Sequence, residues 1–179
     1  MSEPERTLET ERVYQGSRFA VRRDRVGLAD GTITHREIVE IADAVCIVPV
    51  DGDGNILLVR QYRKAVEMAL LEVPAGAMEP GETPIACAKR ELREETGFDA
   101  GSFQALGAFW LAPGYTNELM YAFLATKLRA DALPADFDER IEVEWMPVHE
   151  AVVMARSGQM HDAKSIAALL MAERLLDTQ

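Results

Sequence analysis

Glu91, Glu94 and Glu95 fall three and four positions apart in the run Arg90-Glu91-Leu92-Arg93-Glu94-Glu95-Thr96-Gly97. On a helix that spacing puts all three carboxylates on one face, with Ile85, Ala88 and Leu92 forming an apolar stripe beside them. Adjacent carboxylates repel one another, and protons or cations must relieve that cost. All-oxygen donors suit a hard divalent cation such as Mg²⁺ or Mn²⁺, which keeps waters that substrate phosphates can displace. Arg90, one turn before Glu94, is placed to orient the carboxylates through paired hydrogen bonds. A charge run of this kind also describes an ordinary solvated helix face. The preceding loop separates the two readings. Gly76, Gly81 and Glu82 are spaced so that a turn folds back toward the helix start, bringing backbone groups and a fourth carboxylate to the same place.

The boundary signals predict this helix over Pro84 to Thr96. Thr83 suits the N-cap, Pro84 the first helical position, and Gly97 the residue just past the end. Before it, Ala44 to Val50 and Ile56 to Gln61 read as adjacent core strands joined by the hairpin punctuation Asp51-Gly52-Asp53-Gly54-Asn55. Glu11 to Ile41 reads as a small antiparallel sheet, with strands at Val13-Tyr14, Phe19 to Arg23, Asp24 to Leu28 and Thr32 to Ile41. Gln104 to Leu111, Leu119 to Ala125 and Glu142 to Met146 are further strands, and Arg129 to Arg140 is a polar loop. Two helices close the sequence, about His149 to Arg156 and Ala163 to Leu176, the second capped by Asp162. Strands interleaved with helices predict an α/β fold with a mixed sheet covered on both faces.

With 179 residues, one core and one active site are expected. The formal charge of −11 disfavours nucleic acid and anionic membranes as partners, so a phosphorylated substrate needs a metal ion or placed arginines. No apolar run approaches the roughly 20 residues of a membrane span, and the charged start has no signal-peptide pattern, so a cytoplasmic location is expected. Cys46 and Cys87 lack metal-ligand spacing and read as buried, reduced thiols. His35, His149 and His161 fall at turns or helix starts without pairing and receive no catalytic role.

The segment from Gly76 to Phe98 resembles the Nudix box, G-x5-E-x7-R-E-U-x-E-E-x-G-U with U a bulky apolar residue, at every specified position. The resemblance implies a Nudix-type α/β/α sandwich and hydrolysis of a nucleoside diphosphate linked to another moiety. It also implies Glu91, Glu94 and Glu95 as metal ligands with the Ala75 carbonyl, Glu94 and Arg90 as catalytic groups, and Gly76 and Glu82 in support.

Outside the box, Arg60-Gln61-Tyr62-Arg63, Leu71 to Gly76, Ala112-Pro113-Gly114-Tyr115 and Asp138 to Val143 resemble the ADP-ribose pyrophosphatase branch. Pro113 sits fifteen residues after Phe98, where that branch has a proline tied to ADP-ribose preference. The branch usually carries serine before it, and this chain has Ala112. Arg63 and Glu72 match substrate-contacting positions; their plain alternatives are a strand-edge salt bridge and a surface acid. Pro113, Gly114 and Tyr115 would line the substrate site, Tyr115 either stacking on a base or packing on the sheet. The late acidic loop Phe137-Asp138-Glu139 would supply a general base, Glu139. By the same resemblance, residues 1–41 form a dimerisation sheet and 42–179 the Nudix domain of a homodimer. The expected reaction is ADP-ribose to AMP and ribose 5-phosphate; the alternatives are another nucleoside diphosphate sugar, such as ADP-glucose or GDP-mannose, or a non-catalytic nucleotide-sugar sensor.

Overall fold

The computed structural model describes residues 5–134 and 140–176. Two compact units emerge: one comprises residues 1–43 with 110–119, the other 44–109 with 120–179.

In the first unit, β1 (Glu5–Gln15), β2 (Phe19–Leu28) and β3 (Ile33–Ile41) form an antiparallel three-stranded meander. β1 is far longer than the Val13-Tyr14 strand expected, because almost all of it is exposed and its charged sequence shows no apolar alternation. Cross-strand chemistry holds it instead. Arg12 meets Glu40 at 2.7 Å, Arg25 meets Glu9 at 3.1 Å, and Thr10 donates to Asp24 at 2.8 Å. Phe19 to Leu28 is one strand rather than two, and His35 lies inside β3 rather than at a turn.

The second unit is built on a seven-stranded mixed sheet. β4 (Ala44–Val50) runs parallel to β9 (Leu119–Ala130), whereas β5 (Asn55–Arg63) is antiparallel to β4, to β6 (Met68–Glu72) and to β10 (Ile141–Pro147). The path is β10-β5-β4-β9-β8, with β8 spanning Phe98–Trp110 and β7 (Ala75–Ala77) pairing with β4. Every residue of β4 is buried, the signature of a strand covered on both faces. Val45 and Ile47 pack with Cys87, Ala88 and Leu92 of α1 (Pro84–Thr96), joined by Phe123 and Ala125 of β9. The alternate face meets α3 (Ala163–Leu176), which also packs against α2 (Val148–Ser157). The result is the expected α/β/α sandwich. Cys46 and Cys87 are buried and unpaired, as anticipated.

β6 and β7 were not expected: Pro74 interrupts the segment, and the three residues of β7 carry almost no β propensity of their own. Pairing of Val45 with Gly76 and Cys46 with Ala75 creates that strand. β8 also begins six residues earlier than Gln104, since Asp99, Gly101 and Ser102 hide its start. Among the described residues, no helix is long and apolar enough to cross a membrane.

Leu92 is fully buried in the centre of this layer. Leu92→Ala is expected to lower unfolding free energy by about 2–5 kcal/mol, read as a shifted urea midpoint at unchanged slope.

Candidate active site

The Thr83 hydroxyl caps α1 by accepting from the Ala86 N–H at 3.3 Å, and Gly97 ends the helix in a left-handed conformation, φ 77°. Between these ends the apolar stripe faces the sheet, and the neighbouring stripe of Glu91 and Glu95 is buried against β7. The Ala75 N–H donates to Glu95 Oε2 at 2.9 Å. A Cβ on Gly76 would collide with the Glu91 carboxylate, which explains the glycine without appeal to backbone conformation. Glu91 and Glu95 therefore converge on the backbone of Ala75 and Gly76.

Arg90 organises the other side. Its Nε and Nη2 donate to the two oxygens of Glu82 at 3.0 and 2.9 Å, and Nη1 donates to Glu91 at 2.6 Å and Glu94 at 2.9 Å. Nη2 also reaches the Ala77 carbonyl at 3.1 Å. Glu82 additionally accepts the Glu79 N–H at 3.0 Å, closing the loop onto the helix. The guanidinium holds the Glu82 carboxyl at about 2, against an ordinary value of 4.5. In turn, Glu82, Glu91 and Glu94 raise the Arg90 pKa, opposed only by burial.

A depressed pKa means that the unfolded chain binds the extra proton. The clasp therefore stabilises fully above pH 4.5 and is lost as pH falls through about 2. Wild-type protein is expected to lose stability across that window more steeply than Glu82→Gln, by urea unfolding at stepped pH. Parallel curves would show that the clasp contributes nothing.

Among the described residues, no three histidine, cysteine or acidic side chains converge tightly enough to clasp an ion as placed. The donor chemistry fits a divalent cation all the same. Every side-chain donor is a hard oxygen, three carboxylates share one guanidinium, and Glu91 and Glu95 lie against the Ala75-Gly76 backbone.

Arg63, at the end of β5, meets Glu72, at the end of β6, through two parallel bonds of 2.8 and 2.6 Å. Both expected substrate residues are thus brought together, but Glu72 is no surface acid: only 1% of it is exposed. Burial pushes its carboxyl upward, yet the hydrogen bond from Arg63 and the charge of Lys164 outweigh that and leave it below its usual range. Arg63 also feels Glu95, which places it within electrostatic range of the helix acids.

Pro113, Gly114 and Tyr115 lie in the segment that groups with the N-terminal sheet, where the Val39 N–H donates to the Tyr115 carbonyl at 2.7 Å. The Tyr115 side chain is exposed rather than packed on the sheet. Glu139 and its neighbours Phe137 and Asp138 lie outside the described residues.

Sequence reasoning missed Lys164, buried beside Glu72. A signal was present: a lysine in the first turn of an apolar helix opposes the positive helix terminus and calls for an acidic partner elsewhere.

The sequence matches the NUDIX domain over residues 40–169. It is 35% identical over 167 residues to the ADP-ribose pyrophosphatase of Bacillus subtilis (strain 168), covering 92% of this chain and 90% of that one. Against the ADP-ribose pyrophosphatase of Mycobacterium tuberculosis (strain ATCC 25618 / H37Rv) it is 39% identical over 167 residues, covering 92% and 81%. The crystal structure of an ADP compounds hydrolase superposes with a TM-score of 0.88 at 26% identity, over 99% of this chain and 96% of that one. These matches span well beyond half of the sequence and include the loop and helix that gather the carboxylates: the chain belongs to the Nudix family.

Proposed function

We propose that the protein hydrolyses the pyrophosphate bond of ADP-ribose to AMP and ribose 5-phosphate, with Mg²⁺ or Mn²⁺ held by Glu91, Glu94, Glu95 and the Ala75 carbonyl. The observation that carries this reading is the convergence of Glu91 and Glu95 on the Ala75-Gly76 backbone, with Glu94 joined to Glu91 through Arg90 and Glu95 within electrostatic range of the Arg63 guanidinium. Bound there, the cation supplies Lewis acidity toward phosphoryl oxygen and water.

The protein groups supply the rest. Arg90 fixes the angles of Glu91 and Glu94, and Glu82 fixes Arg90. Arg63 spends Nε and Nη2 on Glu72, so its Nη1 edge is the one offered to a diphosphate oxygen. Glu139 is our candidate to take the proton from the attacking water, and Pro113, Gly114 and Tyr115 are candidates for the nucleoside side. The N-terminal sheet is the proposed homodimer contact, supported by Val13, Tyr14, Phe19 and Ile33, all exposed apolar side chains. Light scattering at low concentration tests that assembly.

The deciding experiment is phosphate release coupled to added phosphatase, across ADP-ribose, ADP-glucose, GDP-mannose and NADH, with Mg²⁺, Mn²⁺ or chelator. Metal-dependent turnover greatest on ADP-ribose is expected. Greater turnover on a different sugar reassigns the substrate. Tight ligand binding with no product at any metal concentration makes the protein a sensor instead.

A further inference from the structure

We infer that Lys164 is a positioning residue for the substrate arginine: from the first turn of α3, it holds Glu72 so that Arg63 stays aimed at the diphosphate, an inference that rests on the hydrolase reading above.

Glu72 has room for few partners, since it is buried almost completely, and it receives two cations. Arg63 takes both carboxylate oxygens, at 2.8 and 2.6 Å, and the Lys164 ammonium bonds to Oε2 as well. Lys164 is itself 8% exposed. Burying a second ammonium against a carboxylate that already has a guanidinium is costly unless its remaining charge is met. Asp162 meets it, accepting from Lys164 Nζ at 3.0 Å and capping α3 by accepting the Ser165 N–H at 3.0 Å.

The same helix turn reaches the backbone leading to the carboxylate site. The Val73 N–H donates to Ser165 Oγ at 2.8 Å, and Ser165 Oγ donates onward to Asp162. Asp162, Lys164 and Ser165 therefore fix the pair Glu72-Val73, two residues before Ala75. A lysine serving only to tie α3 to β6 would not need to share the oxygen that aligns Arg63.

The sharing has an electrostatic consequence. A carboxylate bound by Arg63 alone neutralises that guanidinium, whereas one also held by Lys164 leaves Arg63 more of its field for an incoming phosphate. The geometric consequence is that Glu72 cannot swing with Arg63 toward solvent, because Lys164 pins one of its oxygens.

The test is a cycle of Lys164→Met, Arg63→Ala and the double variant in the full chain, read by steady-state kinetics on ADP-ribose and by affinity for its methylene-bridged, uncleavable analogue. Lys164→Met is expected to raise KM and weaken analogue binding about tenfold with kcat little changed, and to add nothing once Arg63 is gone. Wild-type KM in Lys164→Met, or an equal further loss in the double variant, overturns the inference. Should the methionine variant not fold, Lys164→Leu, which likewise removes every donor toward Glu72, enters the same cycle under the same criteria. Absence of turnover and analogue binding in the wild-type chain would instead refute the hydrolase reading itself.

Discussion

Replacing Glu94 or Glu95 by glutamine is expected to cut kcat by about 10²–10³-fold while the fold survives, the range that one preorganised electrostatic group commands at a reacting centre. The fold survives because neither change removes apolar packing. An amide oxygen at position 95 can still accept the Ala75 N–H, and Arg90 keeps both of its bonds to Glu82 when Glu94 loses its charge. Removing one of several neighbouring negative charges also relieves repulsion, so stability in chelator should hold or rise. The loss should show in metal linkage. Wild-type protein should gain thermal stability on adding Mg²⁺ or Mn²⁺, because a ligand that binds only the folded state shifts the equilibrium by mass action, and each glutamine variant should gain less. Retained turnover in both variants, with an unchanged metal response, would remove these residues from the ligand set.

Legibility in the sequence divided along physical lines. The helix Pro84–Thr96 was readable to the residue, because its signals are local: a threonine cap, a proline at the first position, and a glycine where the chain turns left-handed. β4 was readable because a strand covered on both faces is apolar throughout. β1 was not, because its cohesion comes from ion pairs with residues on β2 and β3, far away in sequence. β7 was invisible for a related reason: three small residues become a strand only because β4 lies beside them.

The candidate site divides in the same way. Spacing on one helix predicted that Glu91, Glu94 and Glu95 share a face with Arg90 among them. That Arg63 would close onto Glu72 required β5 and β6 to pair, which neither segment announces alone. The Lys164 contact is more remote still, the lysine lying 92 positions beyond Glu72 in the sequence.

Gly76→Ala alters no charged group and yet should damage the site nearly as much as losing a carboxylate. The added methyl would occupy the position of the Glu91 carboxylate group itself. Backbone conformation offers no complaint, as Gly76 has no positive φ, so the whole effect must come from displacement. Two responses are open. If Glu91 swings away, Arg90 must follow or lose its 2.6 Å bond, carrying Glu94 with it. If β7 retreats instead, its pairing with β4 at Val45 weakens and the Ala75 N–H draws away from Glu95. Either way carboxylates move by an ångström or more, a misplacement that costs about 10²-fold in turnover. Overpacking adds about 1–3 kcal/mol of destabilisation. Gly52→Ala is the control, because an added methyl there meets open space at an ordinary φ and should change neither quantity. Kinetics and thermal melts on the two variants decide the matter. A Gly76→Ala protein with wild-type kcat would mean that Glu91 need not lie against the β7 backbone for the enzyme to work, and the geometry of the ligand set would have to be drawn again.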